Sequence, residues 1–319
     1  MYSSPLLYHA ESSFYSQRAR LGFEEKRVPY RKKLVNIQLG EQVEPWFIRL
    51  NPHGEVPIVQ HNKRLIIDSE AILNYLDQIT PQAPSLTPDP STDDGAKVKH
   101  FKSLLKSVEI EYITFGTMLH PEIESTKKRF FNPAQVRAKF DKPQKVMQNY
   151  AAKLPDLRGM YEGKIARTQA LVNKILDLKY CMNCLQRCDE VLTEIEEELS
   201  KVKGQGSPEE GPWLCSENFT IADIYLATLL HRIAFLGLGQ RFFTGGKRPN
   251  LEAYYERVQK RRSFHRACSY SGSLFWMWVY PNMVYRLKRS FPSIVGMGVV
   301  GLAIFAAFKY SDKLKMIKF

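Results

Sequence analysis

Cysteine is scarce in this chain, with five thiols at irregular spacing among 319 residues. Small secreted domains staple themselves at a much higher density, so reduced thiols in a cytosol-facing body are expected. The opening residues, MYSSPLLYHAESS, lack the basic and then apolar stretches of a secretory signal and carry an acid in place of a run of arginines. No N-terminal address is therefore legible. Net positive charge is also missing from most of the chain. Two stretches, Arg241–Arg266 and Arg286–Lys318, supply 12 of the formal +13 and leave the large N-terminal body nearly neutral. A nucleic-acid reader would carry a basic stripe interleaved with aromatics on a recognition fold, and without one no nucleic-acid partner is expected. Ligand sets for a metal are lacking too. Cys181, Cys184 and Cys188 share one helical segment with no histidine beside them to complete four ligands. They read as small buried hydrophobes, and no metal is expected.

What the chain does have is an uncharged tail. Ser290 to Phe308 carries no charge between Arg286-Leu287-Lys288-Arg289 on one side and Lys309, Lys313, Lys315 and Lys318 on the other. A helix needs about 17–25 apolar residues to cross a hydrocarbon core, so 290–308 reads as a transmembrane anchor and 309–319 as a short basic tail. The expected arrangement is a tail anchor with the body facing the cytosol. A second uncharged run, Ala267–Tyr285, contains Trp276, Trp278, Tyr280 and Tyr285. Residues 267–289 are accordingly read as an aromatic, basic segment at the membrane interface, the alternative being a core helix that completes the preceding domain.

The start of the body alternates between strand and helix. Strand patterns at Pro5–Tyr8 and Val28–Val35 enclose a helical pattern at Ser13–Lys26, and a short helix around Pro45–Leu50 follows. Strands at Val56–Gln60 and Arg64–Ile67 then flank a turn at His61-Asn62, and DSEAILNYLDQI closes the unit as a helix. This order describes one small α+β domain over 1–82.

NPHGEVPIV followed by DSEAILNYL resembles the N-terminal, thioredoxin-like half of a glutathione S-transferase. The resemblance implies that Pro57 is a cis-proline and that the backbone of Val56 pairs with the cysteinyl part of glutathione. It also implies that Asp68 and Ser69 hold the γ-glutamyl carboxylate. Independently of the name, a helix start presents free N–H groups and partial positive charge that favour a carboxylate, while Asp68 fits equally well as a plain N-cap. Such enzymes need a hydroxyl or thiol donor that stabilises the thiolate. Aligning Arg18-Ala19-Arg20 with the family's basic helix puts Ser13 at the serine-type position, with Ser12 one residue off. Ser13 also reads as an ordinary N-cap, and Tyr8 as a strand tyrosine facing the core.

Residues 83–266 read as the all-α second domain. In WLCSENFTIADIYLA, Thr220 and Asp223 have the spacing of a capping box that opens a buried central helix. This box arrives late in the chain, so an insertion of about 120–205 is expected after a helix at Ala96–Leu119. Its first part, Glu122–Tyr161, is punctuated by Pro133, Pro143 and Pro155 and reads as loops and short helices. From Lys164 to Lys203, apolar residues recur every three or four positions with no Pro or Gly. That pattern predicts one continuous helix about 60 Å long whose coiled-coil-like seam needs a partner in this chain or another.

The expected fold class is thus a thioredoxin-like α+β domain plus an all-α domain in the glutathione S-transferase arrangement, with a long helical insertion and a C-terminal transmembrane helix. The whole chain resembles the ganglioside-induced differentiation-associated protein family, most tellingly in VEPWFIRLNPHGEVPIV, GPWLCSENFTIADIYLA and GKRPNLEAYYERVQKRRSFHR. The resemblance implies a tail-anchored protein of the mitochondrial outer membrane, with a peroxisomal membrane as the alternative, and a role in mitochondrial network shape and fission. It implies weak or absent transferase activity. Glutathione is the one cofactor it brings with it, and the expected partners are the membrane itself and a protein, or a second copy, on the long helix.

Overall fold

The computed structural model describes residues 4–126, 133–201, 213–268 and 279–290. The proposed anchor after Ser290 and the stretch 269–278, which holds Trp276 and Trp278, lie outside the described residues. No helix among the described residues is long and apolar enough to cross a membrane.

Strand β1 (Leu6–His9) leads through helix α1 (Phe14–Glu25) to β2 (Arg31–Leu34), and α2 (Pro45–Leu50) precedes β3 (Ile58–His61), β4 (Arg64–Ile67) and α3 (Ser69–Ile79). The sheet order is β2-β1-β3-β4, with β1 and β2 parallel and the other pairs antiparallel. Asn62 and Lys63 both take positive φ, which closes the β3–β4 hairpin as a two-residue turn. Leu7 and Val59 face one core with Ile72, Leu73 and Leu76 of α3, as the period-two strands and amphipathic α3 require.

The second domain comprises α4 (Asp93–Lys106), α5 (Ile110–Leu119), α6 (Pro133–Lys153), α7 (Arg158–Leu176), α8 (Leu178–Lys201), α9 (Ile221–Phe235), α10 (Gly239–Phe242), α11 (Pro249–Lys260) and α12 (Arg262–Cys268). Helix α9 is its axis and nearly all of its residues are buried. The Thr220/Asp223 capping box is present. The Asp223 carboxylate accepts from the Thr220 N–H at 2.8 Å and also from the Leu214 N–H and the Tyr254 hydroxyl, each at 2.8 Å. One buried carboxylate thereby joins the start of α9, the loop before it and α11.

Three expectations about the helices are corrected. The helix expected over Ala96–Leu119 is two helices, because Ser107 ends α4 with its hydroxyl donating back to the Leu104 carbonyl at 2.7 Å. The prolines of Glu122–Tyr161 do not enforce a loop. Pro133 opens α6, Pro143 lies inside its 21 residues, and Pro155 starts a single 3-10 turn. The lost hydrogen bond at Pro143 is tolerated because Met147 and Ala151 of the same helix are buried against Val43 and Ile48 of the first domain. The 60 Å helix is likewise broken. Asp177 is extended, and its side chain accepts from the Tyr180 N–H at 3.1 Å, so it ends α7 and caps α8. A short carboxylate that can bond the backbone competes with helix continuation.

The apolar stripe of α8 then finds its partners inside the chain, against α4, α5 and α11, rather than in a long coiled coil. Cys181, Cys184 and Cys188 lie on that stripe and are buried. Gly116 lets α5 approach, since a Cβ there would come within 2.8 Å of the Cys181 sulfur. No group of three potential metal ligands occurs among the described residues.

Helix α13 (Tyr280–Ser290) returns to the first domain. Asn282 accepts from the Asn36 amide at 2.8 Å, the Tyr285 hydroxyl donates to Glu44 at 2.6 Å, and Arg289 pairs with Glu44 at 3.1 Å. The described part of the aromatic, basic segment therefore rests on the loop after β2, while Ala267 and Cys268 at its beginning are buried in the helical core.

Candidate functional site

The strand register brings three separated segments to one end of the sheet. Tyr8 pairs with Ile58 and Ile58 with Ile67, so the exit of β1, the entry of β3 and the exit of β4 are neighbours. Ser13 follows the first, Val56 and Pro57 precede the second, and Asp68 and Ser69 follow the third. All five candidate residues from the sequence thus border one corner of the first domain, beside the N-termini of α1 and α3.

The Val56–Pro57 peptide bond is cis. Asp68 holds φ = 82°, a conformation costly for a residue with a side chain and one retained where surrounding structure enforces it. Its carboxylate accepts from the Glu70 N–H at 2.6 Å, so Asp68 is a working N-cap. Ser69, the first residue of α3, is 3% exposed. Glu70 is tied to Lys102 and Lys106 at 2.8 Å each and receives the Tyr225 hydroxyl at 3.3 Å. Burial pushes its carboxyl up, but the hydrogen bonds and charges of the two lysines outweigh this and hold it at about 2. The helix start is therefore braced against both α4 and α9.

Ser13 caps α1, its Oγ accepting from the Ser16 N–H at 3.2 Å. The two arginines used to align it are both structural. The Arg18 guanidinium stacks 3.7 Å from the centre of Tyr225 and 4.4 Å from that of Phe14, and its Nε–H reaches Thr228. Arg20, 1% exposed, donates to the Ala10, Glu11 and Ala267 carbonyls. They weld α1 to α9 and α12. Tyr8 faces the sheet, 6% exposed, with its hydroxyl on Gln60.

Next to this corner, between the two domains, lies a cavity of about 340 Å³. Ser12, Gln17, Arg232 and Phe235 border it from α1 and α9, and Ile37, Gln38, Gln42 and Val43 from the loop after β2. Further wall comes from Phe115 of α5, from Phe140, Pro143 and Met147 of α6, and from Lys164, Thr168 and Leu171 of α7. No residue of α6 or α7 was read from sequence as part of a site, because these are ordinary helix-face positions until the two helices fold over the cleft. Both helices are fastened there. The Tyr161 hydroxyl donates to the Val43 carbonyl at 3.1 Å, Lys164 pairs with Glu55 at 2.9 Å, and Arg49 pairs with Asp156 at 2.7 Å.

The cavity is apolar with a few polar groups inside it. Gln17 is 1% exposed, yet its side-chain oxygen has no hydrogen-bond partner among the described residues, and the same holds for the Gln42 oxygen. Arg232 donates to the Ser12 carbonyl at 2.8 Å, and burial lowers it to about 10, so it is charged at neutral pH. Burial, aided by Arg232, lowers His231 to about 4, and that ring is neutral. Apolar walls with a few fixed polar groups suit a small organic ligand.

Geometry and sequence together define a two-domain transferase scaffold. The chain matches the family "Glutathione S-transferase, N-terminal domain" over residues 7–84 and "Glutathione S-transferase, C-terminal domain" over 150–257. Within that class, the chain belongs to the ganglioside-induced differentiation-associated protein family. It is 31% identical to the human ganglioside-induced differentiation-associated protein 1-like 1 over 97% of this chain and 87% of that protein. It is also similar to the tetrachloro-p-hydroquinone reductive dehalogenase of Sphingobium chlorophenolicum, at 28% identity over 82% of this chain and 94% of that one. Among solved structures, the β-etherase LigF of Sphingobium sp. strain SYK-6 superposes with a TM-score of 0.60 at 18% identity, covering 83% of this chain and 98% of that chain. That likeness establishes the fold.

At the corner the Asp68 carboxylate occupies the Glu70 N–H of the first turn of α3, and none of Ser13, Val56, Pro57, Asp68 and Ser69 lines the cavity itself.

Proposed function

We propose that this chain uses a glutathione S-transferase scaffold as a binding and sensing module, held by its C-terminal anchor on the mitochondrial outer membrane with the body in the cytosol. There it influences mitochondrial network shape and fission. The observation that carries this reading is the origin of the cleft wall. Phe140, Pro143 and Met147 come from α6, and all three lie between the stretches that match the two transferase families, 7–84 and 150–257, so residues outside both matches help to enclose the cleft. Membership of the ganglioside-induced differentiation-associated family supports the membrane and organelle.

The second reading is a membrane-bound glutathione transferase in which Ser13 stabilises the thiolate and an electrophile enters the cavity. The Asp68-Ser69 pair at the start of α3 favours it. Calorimetric titration of the full chain in detergent micelles with glutathione, beside turnover of a chloro-dinitrobenzene, separates the two. The binding-module reading expects no turnover at saturating thiol. Micromolar glutathione affinity abolished by Ser69→Ala, with turnover abolished by Ser13→Ala, would establish the enzyme instead. The location is tested by fractionating cells that express the chain without residues 291–319. Retention of that form on mitochondria would end the anchor reading.

A further inference from the structure

We propose that the free edge of the N-terminal sheet, with α12 and α13, forms a basic face that lies against anionic lipid head groups and fixes how the body sits on its membrane. This rests on the reading of the uncharged tail as an anchor.

The observation behind it is convergence. Arg27, Arg31, Lys32 and Lys33 lie in and just before β2, Arg262 and Arg266 on α12, and Arg286, Lys288 and Arg289 on α13. Helices α12 and α13, more than two hundred residues further along the chain, thereby flank β2, α12 beside Lys32 and α13 beside Lys33. Arg27, Lys32, Arg262 and Arg266 border one surface depression, and Lys288 donates to the Leu34 carbonyl at the end of β2 at 3.3 Å. The cations also feel one another. Burial lowers the Lys33 amine and the charge of Lys288 adds to this against Glu41; burial lowers Lys32 too, with Arg20 and Arg266 acting in the same direction and Glu11 and Glu24 against it.

Carboxylates on this side are largely committed. Glu25 holds Arg261, Glu24 holds Arg266, Glu41 faces Lys288 and Glu44 holds Arg289. Arg27, Arg31, Lys32, Lys33, Arg262 and Arg286 have no carboxylate within ion-pair distance among the described residues. Charged side chains on an edge strand also deter edge-to-edge pairing. That purpose accounts for β2 alone and leaves the cations that α12 and α13 add on either side of this edge unexplained.

Position selects the occupant. Helix α13 ends at Ser290 with Lys288 and Arg289 in its last turn, and the next eighteen residues of the sequence, 291–308, carry no charge. A face built partly from the helix that leads into the anchor is held within reach of the bilayer surface, where anionic head groups attract clustered Lys and Arg. Such attraction is screened by salt.

The full chain is reconstituted into vesicles of phosphatidylcholine alone and of phosphatidylcholine with phosphatidylinositol. Lysine acylation is then read residue by residue by mass spectrometry. Lys32 and Lys33 should react at least tenfold more slowly on the anionic vesicles, and high salt should abolish the difference. Lys99 and Lys179, on α4 and α8, should react alike on both. The exposed substitutions Arg31→Glu and Lys32→Glu, made together, should leave flotation with vesicles unchanged and remove the protection of Lys33. Flotation with equal Lys32 and Lys33 reactivity on both vesicles would overturn the lipid face and leave the anchor standing. Failure to float with either vesicle would overturn the anchor and the face with it. Protection by added polyglutamate but by neither vesicle would assign the face to an acidic protein partner and overturn the lipid proposal.

Discussion

Replacing Tyr161 distinguishes α6 and α7 as builders of the cleft from helices that merely hang beside it. Tyr161 is fully buried in a cluster with Val43, Ile48, Met147, Ala151 and Leu157, and its hydroxyl donates to the Val43 carbonyl. Tyr161→Phe keeps the ring and its stacking on Tyr150, whose centre lies 5.5 Å away. It removes one hydrogen bond, and the expected cost is about 1 kcal/mol. Tyr161→Ala also empties the ring's volume, which costs about 3–5 kcal/mol where neighbours cannot collapse. Because Val43 and Ile48 belong to the first domain, both costs should appear as local opening of α2. At about 1.4 kcal/mol per tenfold, hydrogen exchange of the Phe47, Ile48 and Asn51 amides should accelerate about fivefold in the Phe variant and more than a hundredfold in the Ala variant. The measurement is exchange mass spectrometry or NMR on the full chain in micelles. If α2 amides in Tyr161→Ala exchange at the wild-type rate while α6 and α7 open, these two helices are an independent unit and the account of the cleft wall fails.

Other outcomes follow from the same contacts. Asp223→Ala leaves the Thr220 and Leu214 N–H groups and the Tyr254 hydroxyl without their shared acceptor, so thermal denaturation should show a loss of about 3 kcal/mol or more; a loss under about 1 kcal/mol would refute the capping role. The Glu70 carboxyl, held at about 2, contributes stability that is present above its ordinary value of 4.5 and is lost as pH falls through 2. Acid unfolding of wild type should therefore diverge from Glu70→Gln above about pH 4 and converge below about pH 2, and parallel curves would contradict the pairing with Lys102 and Lys106. All five cysteines are buried, and burial raises the thiols, Cys181 to about 11 and Cys184 to about 12. Iodoacetamide at neutral pH should leave them unmodified in the folded chain and alkylate them after denaturation; modification of Cys181, Cys184 or Cys188 in the native state would show that the α5–α8 interface opens. Glu44→Ala removes the acceptor shared by Tyr285 and Arg289, so trypsin should cut after Arg286, Lys288 or Arg289 faster than in wild type, and unchanged cleavage would mean that α13 is held by other contacts.

By itself the sequence determined whatever depends on local pattern. Strand and helix order in residues 5–80, the α2 span Pro45–Leu50 and the capping box at Thr220 and Asp223 are written in alternation, turn residues and cap spacing, which act over a few positions. The motif resemblance placed Val56, Pro57, Asp68 and Ser69, and their meeting at one corner follows from the strand register. Only the tertiary structure decided where local signals conflicted with packing. Pro143 argued for a loop, but burying Met147 and Ala151 against the first domain outweighs one missing hydrogen bond. The apolar stripe from Lys164 onward argued for one long helix, but Asp177 could cap a second helix whose stripe α4, α5 and α11 then cover. The cavity wall, the unpartnered glutamine oxygens and the basic edge have no signature along the chain, because each is assembled from residues far apart in sequence. Periodicity shows which face of a helix is buried, whereas what that face is buried against depends on contacts between distant segments.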